Sequence, residues 1–284
     1  MDKARLSKLV KQHATTAKLL GAESVPSYRK SARGTTRVID DEVAKPVVAT
    51  PVKKAAEKAP VAGTSSKSSG GMIELPAQRK RGDAKTANRL LDELLAKYIA
   101  DAPHKQFKTD FTNIVFGDGD PCARLMFVGE APGAEEDRTG KPFCGRSGEL
   151  LNKMIAAMGL SRETVYIANV LKTRPPDNAT PTTFEIELCA PYLLTQIDIV
   201  MPEAIVALGL PASRALLRTE SPMSSMRGQW HEMTLPSGRT VPVMPTYHPA
   251  YVLRNYTDET RKKVWSDLTM AMDKLGIKPP VRKA

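Results

Sequence analysis

Residues 125 to 149 read Leu-Met-Phe-Val-Gly-Glu-Ala-Pro-Gly-Ala-Glu-Glu-Asp-Arg-Thr-Gly-Lys-Pro-Phe-Cys-Gly-Arg-Ser-Gly-Glu. An apolar run ends at Gly129, and acidic side chains, an aromatic ring and several glycines follow it. Polar groups are therefore gathered at the carboxyl end of a strand, where open α/β sheets place their binding crevices. This stretch predicts an α/β fold with a binding site behind Gly129.

Apolar runs and helical periodicities alternate on both sides of this stretch. Such alternation predicts a three-layer α/β sandwich with a central, mostly parallel sheet over residues 86 to 278. We expect strands at residues 124–128, 165–167, 204–208 and 241–246, and helices at residues 86–99, 150–158, 182–200, 212–217 and 261–275.

The first 85 residues differ in composition from the rest. They carry 18 Lys and Arg against 8 Asp and Glu, a net charge of +10, whereas residues 86–284 carry only +1. From residue 21 to 82 there is one aromatic residue, Tyr28, and no sustained apolar period, so we expect a disordered basic tail. A short amphipathic helix near the start, either frayed or docked on a repair or replication protein, is predicted from Leu6, Leu9, Val10, Leu19 and Leu20. The tail itself either tethers DNA or is a solvated linker.

Cysteine usage and hydropathy bear on the compartment. Cys122, Cys144 and Cys189 give neither a disulfide framework nor the spacing of a metal site, which favours a reducing compartment. No apolar stretch approaches the length of a membrane span, and the first residues lack the apolar core of a secretory signal. We therefore expect a cytoplasmic, nucleoid-associated protein that does not contact membranes.

Three further residues stand where polar groups are expected to meet. Phe143 lies on a Gly- and Pro-rich loop, Asn169 follows a β-branched run, and His248 precedes Pro249 at the end of another run. Phe143 is either a core residue or a stacking platform for a planar ring. Asn169 either forms a strand-end turn or reads a polar edge, because an amide donates and accepts together. His248 is either structural or a hydrogen-bond donor.

The motifs around these residues resemble family 4 of the uracil-DNA glycosylase superfamily, over about residues 112 to 276. The matching strings are Gly-Glu-Ala-Pro-Gly at 129–133, Glu136-Asp137, Gly140-x-Pro142-Phe143-x-Gly145, Asn169-Val-x-Lys172-x-Arg174-Pro175-Pro176, Glu185-x-x-x-Cys189, Ala207-Leu208-Gly209, Arg227-Gly228 and His248-Pro-x-x-x-Leu253-Arg254.

The resemblance implies the residues of the site. Glu130, Asn169 and His248 take the catalytic positions, and Ala131 replaces the water-activating Asp of the best-known uracil glycosylases. A neutral His248 would donate to the uracil oxygen that gains charge as the glycosidic bond breaks. Gly133 stands where a bulky ring elsewhere excludes the thymine methyl group. The implied base-binding residues are Gly129, Ala131, Pro132, Gly133, Asp137, Phe143 and Asn169.

DNA contacts are expected beyond the pocket. In the loop after His248, an apolar side chain would wedge into the base stack, or the same residues would begin the packing of the last helix. The expected DNA-binding residues are Arg174, Arg227, Tyr251, Val252, Leu253 and Arg254.

The resemblance has one gap. Family 4 holds a four-iron cluster with four cysteines, but here only Cys189 remains, Thr173 occupies a second position, and residues 101–111 contain no cysteine. A cluster of this type needs four thiolates, so we expect no cluster and no other metal or cofactor.

The leading hypothesis is a monomeric glycosylase that removes uracil from DNA and leaves an abasic site. A catalytically degenerate DNA-binding relative that scaffolds repair or replication is the alternative. Retention of Glu130, Phe143, Asn169 and His248 together favours the enzyme. A cross-linking branch of the superfamily uses a His in an inserted loop, and residues 172–180 contain none.

Overall fold

The computed structural model describes residues 73, 75, 76 and 81–278. All of them belong to one compact unit, Thr64–Ala284. The predicted basic tail over residues 1–85, with its short helix, therefore lies almost wholly outside the described residues. Among its described residues, Ile73 and Leu75 pack against the hydrophobic core, and Arg81 forms an ion pair with Glu203.

The described residues form a succession of strands and helices close to the predicted one. The strands are β1 Asp118–Gly119, β2 Leu125–Gly129, β3 Tyr166–Asn169, β4 Ala204–Leu208, β5 His231–Thr234 and β6 Thr240–Thr246. The α-helices are α1 Ala84–Asp101, α2 Ala134–Thr139, α3 Arg146–Ala157, α4 Thr183–Val200, α5 Leu210–Leu217, α6 Met223–Met226, α7 Pro249–Arg254 and α8 Asp258–Leu275. Short 3₁₀ helices lie at Pro103–Gln106, Arg162–Thr164 and Pro176–Asn178.

The six strands form one mixed sheet in the order β1-β3-β2-β4-β6-β5. The four inner strands are parallel, with Gly129 opposite Asn169 and Val128 opposite Ala207, while β1 and β5 pair antiparallel at the two edges. The inner strands are buried on both faces, as continuous apolar runs predict.

Helices cover both faces of the sheet. Met126 and Val128 of β2 point into one core together with α1, α4 and α5. Leu125 and Phe127 point into a second core together with α3 and α8. Successive strand residues face opposite sides, so one short run supplies both cores. The predicted three-layer sandwich with a mostly parallel sheet is confirmed.

The long helices begin and end at residues suited to those positions. Asp83 caps α1 by accepting from the Thr86 N–H (3.1 Å), and Thr257 caps α8 by accepting from the Thr260 N–H (3.1 Å). Gly276 ends α8 in the left-handed conformation that glycine adopts without strain. None of the described helices is long and apolar enough to cross a membrane.

Candidate active site

Polar residues meet at the carboxyl edge of the parallel strands. From β2 the chain passes to β3 on one side, then returns to β4 on the other, so the strand order reverses beside β2. Ligands of open α/β sheets bind at such a reversal. A cavity of about 830 Å³ opens there, and it is lined by Glu130, Ala131, Pro132, Gly133, Phe143, Asn169, His248, Tyr251 and Arg254, among others.

Gly129 brings three parts of the cavity together. It is the last residue of β2, and a Cβ atom there would lie 2.4 Å from Asn169 Oδ1 and 2.5 Å from Phe143 Cζ. Both distances are far below van der Waals contact. Any larger residue would therefore push the amide and the aromatic ring away from the strand end.

Phe143 lies where either of its two predicted roles is possible. Its ring is 4% exposed and packs in the second core, yet it also lines the cavity. Its backbone is left-handed at φ +52, a conformation that costs a non-glycine residue about 1–3 kcal/mol. The Phe143 ring centroid lies 5.5 Å from that of His248, with 33° between the planes.

Glu136 holds the strained loop in place. This buried carboxylate accepts from the Cys144 and Gly145 N–H groups at 2.9 and 3.0 Å, and from the Gly133 N–H at 3.1 Å. It therefore joins the loop after β2 to the loop that carries Phe143. A Cβ atom on Gly133 would lie 2.8 Å from Glu136 Oε2, so glycine at 133 preserves this contact.

The His248 ring is neutral and has one defined tautomer. Nδ1 accepts from the Ala250 N–H at 3.1 Å as His248 caps α7, so the ring proton lies on Nε2. Burial and, to a smaller extent, the nearby Arg254 charge lower the pKa of His248 to about 4, against the opposing effect of Glu136. Because the ring lines the cavity, its Nε2–H group is available to a molecule bound there.

Asn169 presents a side chain that has no protein partner for its oxygen. It is 1% exposed, and its Oδ1 atom accepts no hydrogen bond although it is buried. Its backbone carbonyl is fixed by the buried Lys172 amine, which donates to it at 2.8 Å and also donates to Gln196. An unpaired buried amide oxygen is costly unless a ligand satisfies it.

Glu130 directly follows Gly129 at the end of β2 and lines the same cavity as Phe143. Burial raises the pKa of this carboxyl, and a hydrogen bond with Thr180 opposes the rise. The next residue is Ala131, which carries no group that can accept a proton from water.

Several predicted residues lie outside the cavity. Asp137 accepts from the Thr112 and Asn113 N–H groups at 2.8 and 3.0 Å, and Arg227 is paired with the buried Asp267 at 2.7 Å. Arg174 donates to Asn178 at 2.9 Å. These side chains position loops rather than line the pocket.

The segment predicted to contact DNA after His248 is a helix, α7, and its side chains point in different directions. Val252 is 3% exposed and belongs to the second core, whereas Tyr251 and Leu253 are 39% and 36% exposed. Tyr251 stacks on Tyr247 with ring centroids 4.9 Å apart. Tyr251 and Leu253 thus remain at the surface, and Val252 is a packing residue.

Several residues of the cavity lie at positions that the sequence did not predict as part of a site. Glu136 stands three residues after Gly133, the N-cap of α2, and its carboxylate reaches back to the Gly133 N–H as the glutamate of a capping box does. Ser147, Asn178, Thr180 and Tyr247 also line the cavity. Their polar side chains lie on loops and first turns, which carry no periodicity from which to infer direction.

The residues around Cys189 do not fit a four-iron cluster. Thr173 has no thiol, and the buried Tyr98 hydroxyl lies beside Thr173 and Cys189. Tyr98 in turn stacks on His104 with centroids 5.4 Å apart, and burial raises the pKa of Cys189 to about 11. Among residues 81–278 no three His, Cys, Asp or Glu side chains are grouped as metal ligands.

Fold and site together define a class. A parallel α/β sheet carries at its strand reversal an aromatic ring, an unpaired amide oxygen and a neutral imidazole donor, all within one cavity. Such a set suits a flat heterocycle with polar edges, held by stacking and hydrogen bonds.

Comparison with known proteins identifies the family. The model of the uracil DNA glycosylase superfamily matches residues 116–269. The type-4 uracil-DNA glycosylase of Thermotoga maritima is 44% identical over 160 residues, which cover 56% of this chain and 82% of the relative. That of Archaeoglobus fulgidus is 39% identical over 194 residues, covering 67% and 96%. A type-5 enzyme of Pyrobaculum aerophilum is 33% identical over 147 residues, covering 46% and 63%. The chain belongs to the uracil-DNA glycosylase superfamily, as its motifs predicted.

Proposed function

We propose that this protein is a DNA repair glycosylase that hydrolyses the bond between uracil and deoxyribose and leaves an abasic site. The observation that carries the proposal is the meeting of Phe143, Asn169 and His248 at one cavity of about 830 Å³. The two relatives of highest coverage named above are type-4 uracil-DNA glycosylases.

Uracil reaches the cavity when its nucleotide leaves the base stack. One face of the ring stacks on Phe143, an interaction worth about 1–3 kcal/mol. Asn169 reads the polar edge, and its Oδ1 atom, which has no protein partner, accepts from the base. The buried Lys172 fixes the amide by holding the Asn169 carbonyl.

The glycosidic bond then breaks with its electron pair on the base. The negative charge spreads onto a uracil oxygen, where the His248 Nε2–H group donates without transferring its proton. A water oxygen bonds to the sugar carbon from which the base departs, and the proton that this water loses passes to solvent. The uracil anion takes up one proton from solvent when it leaves the cavity. Ala131 offers no base, so the water is oriented by Glu130, which lines the cavity.

The proposal extends to cofactor, assembly and location. The protein works as a monomer without an iron-sulfur cluster, since Cys189 is the only thiol at that place. Its three cysteines are unpaired, which suits a reducing compartment and action on nucleoid DNA in the cytoplasm. A repair or replication partner of the N-terminal segment would bind outside the described residues.

Single-turnover incubation with oligonucleotides tests the function. Single- and double-stranded substrates carry one uracil, and matched controls carry thymine or cytosine at that position. We expect free uracil and alkali-labile sites in equal amounts from the uracil substrates. Binding of uracil-containing DNA without release of uracil would refute the glycosylase hypothesis and support a non-catalytic DNA-binding scaffold.

A further inference from the structure

A second groove continues from the proposed base cavity. Its volume is about 450 Å³, and it lies between helices α2, α3 and α7. Glu136, Ser147, Ala250 and Arg254 line both spaces, so a strand whose base enters the cavity would have its backbone beside this groove.

The groove contains arginines that no carboxylate neutralises. Most arginines between residues 81 and 278 form ion pairs. Within this range, the arginines that form no ion pair are Arg146, Arg218 and Arg254. Two of these three, Arg146 and Arg254, line the groove and have exposed side chains. Their charges are therefore free to meet an anion.

The carboxylates at the groove are already engaged. Glu135 is paired with Arg138 at 2.8 Å, and Glu136 accepts three backbone N–H groups. Ser147 adds a hydroxyl donor in the first turn of α3, where helix N–H groups lack partners within the helix. The uncompensated charge of the groove is consequently positive.

We propose that Arg146 and Arg254 bind the DNA phosphates that flank the flipped nucleotide, with Ser147 contacting the phosphate nearest the cavity. The inference rests on the proposed function, and it assigns Arg146 and Ser147 to a backbone site that the motifs did not indicate. Guanidinium groups suit phosphate because they donate two parallel hydrogen bonds. Two such contacts would hold the strand while the base lies against Phe143.

The test combines Arg146→Gln with neutral linkages in the DNA. The probe is full-length protein binding an oligonucleotide with a 2′-fluorinated uracil nucleotide, which resists cleavage. Arg89→Gln is the control, because Arg89 is an exposed arginine of α1 paired with Glu93 and outside both spaces. For Arg146→Gln we expect the slope of log affinity against log salt to fall by about 0.9 on duplex DNA and about 0.7 on single strands. Arg89→Gln should leave the slope unchanged.

A methylphosphonate scan then locates the contact. Each linkage near the uracil is made neutral in turn, and affinities are measured for the wild type and the variant. At one flanking linkage, the neutral methylphosphonate should weaken binding by the wild type. The same replacement should leave the affinity of Arg146→Gln unchanged, because that variant already lacks the contact. Arg146 does not contact phosphate if the affinity lost by the substitution and the affinity lost by the neutral linkage add at every linkage. The same conclusion follows if Arg146→Gln and Arg89→Gln have equal salt slopes.

The outcome is separable from that of the proposed function. A wild type that binds DNA with the expected slope but releases no uracil would refute the glycosylase and keep the phosphate site. A wild type that releases uracil while Arg146→Gln binds as the control does would refute the phosphate site alone.

Discussion

Replacing His248 by alanine tests how the base leaves. The alanine variant lacks the neutral Nε2–H donor at the cavity. The Ala250 N–H group, which donates to His248 Nδ1 in the wild type, can instead donate to water. Loss of one preorganised donor lowers a rate about 10²- to 10³-fold, or about 2.7–4 kcal/mol in the barrier. Single-turnover release of uracil at saturating DNA should fall by this factor, and DNA affinity should change little because phosphate contacts dominate it.

The pH dependence distinguishes a neutral donor from a cation. The pKa of His248 is about 4 in the folded protein, so the ring is neutral throughout the physiological range. The factor lost in His248→Ala should therefore be constant between about pH 6 and pH 8. The matched control is His231→Ala, since His231 bonds the Met226 carbonyl at the edge strand, outside the cavity.

Protonation of His248 also makes the free energy of unfolding depend on pH, and this free energy decreases as the pH falls. The unfolded chain binds a proton at its ordinary pKa of 6.5, whereas the folded protein resists protonation until about 4. The contribution of His248 to the free energy of unfolding is therefore complete above pH 6.5 and is lost as the pH falls toward 4. At about pH 5 the loss is about 2 kcal/mol. Urea unfolding at neutral and acidic pH should show a smaller acid loss for His248→Ala than for the wild type.

Two results would refute this reasoning. One is a His248→Ala rate equal to that of the wild type at saturating DNA. The other is a wild-type rate that titrates near the ordinary histidine pKa and loses that titration in the variant, because His248 would then act as a cation.

Other residues and regions give further expectations. Asn169→Ala should lower single-turnover release at least about a hundredfold, with Asn88→Ala on the exposed face of α1 as control; equal rates for both would remove Asn169 from base recognition. Glu136→Gln should lower the free energy of unfolding in urea by about 1–3 kcal/mol, since the new amide N–H₂ group faces a backbone N–H, and unchanged stability would contradict the loop-holding role. Protein purified anaerobically should be colourless and free of iron; about four irons per chain would disprove this. Removing residues 1–72 should reduce the salt dependence of DNA binding without reducing release from a short substrate; an unchanged salt slope would argue against a DNA tether.

The parts of the fold that sequence could predict are those with strong periodicity. Ala204–Leu208 is a continuous apolar run and was predicted to the residue, whereas the two-residue strand Asp118–Gly119 and the strand His231–Thr234 were not foreseen. Edge strand β5 buries only Met233 among its four residues. A strand with so little apolar content depends on pairing with β6, which the local sequence does not record.

The site shows the same limit at the level of single side chains. Glu136 and Asp137 are adjacent acids, and the motif could not say which one holds the loops around the cavity. The start of α2 at Gly133 settles the matter, because it directs Glu136 to the Gly133 and Gly145 N–H groups and leaves Asp137 facing Thr112. Helix phase likewise puts Val252 into the core between two exposed neighbours.

Unpaired buried polar atoms occur at two places in the part of the chain that the structure describes. Among the described residues the buried side-chain atoms without a partner are Tyr98 Oη, His104 Nδ1, Thr173 Oγ1 and Asn169 Oδ1. The first three lie around Cys189, where the family resemblance implies a cluster and where aromatic rings now pack. Only Asn169 Oδ1 belongs to a residue that lines the cavity, and a base can satisfy it there. Because Cys189 packs in the first core whereas the Phe143 ring packs in the second, the aromatic packing around Cys189 supports α1 and α4 from the other face of the sheet.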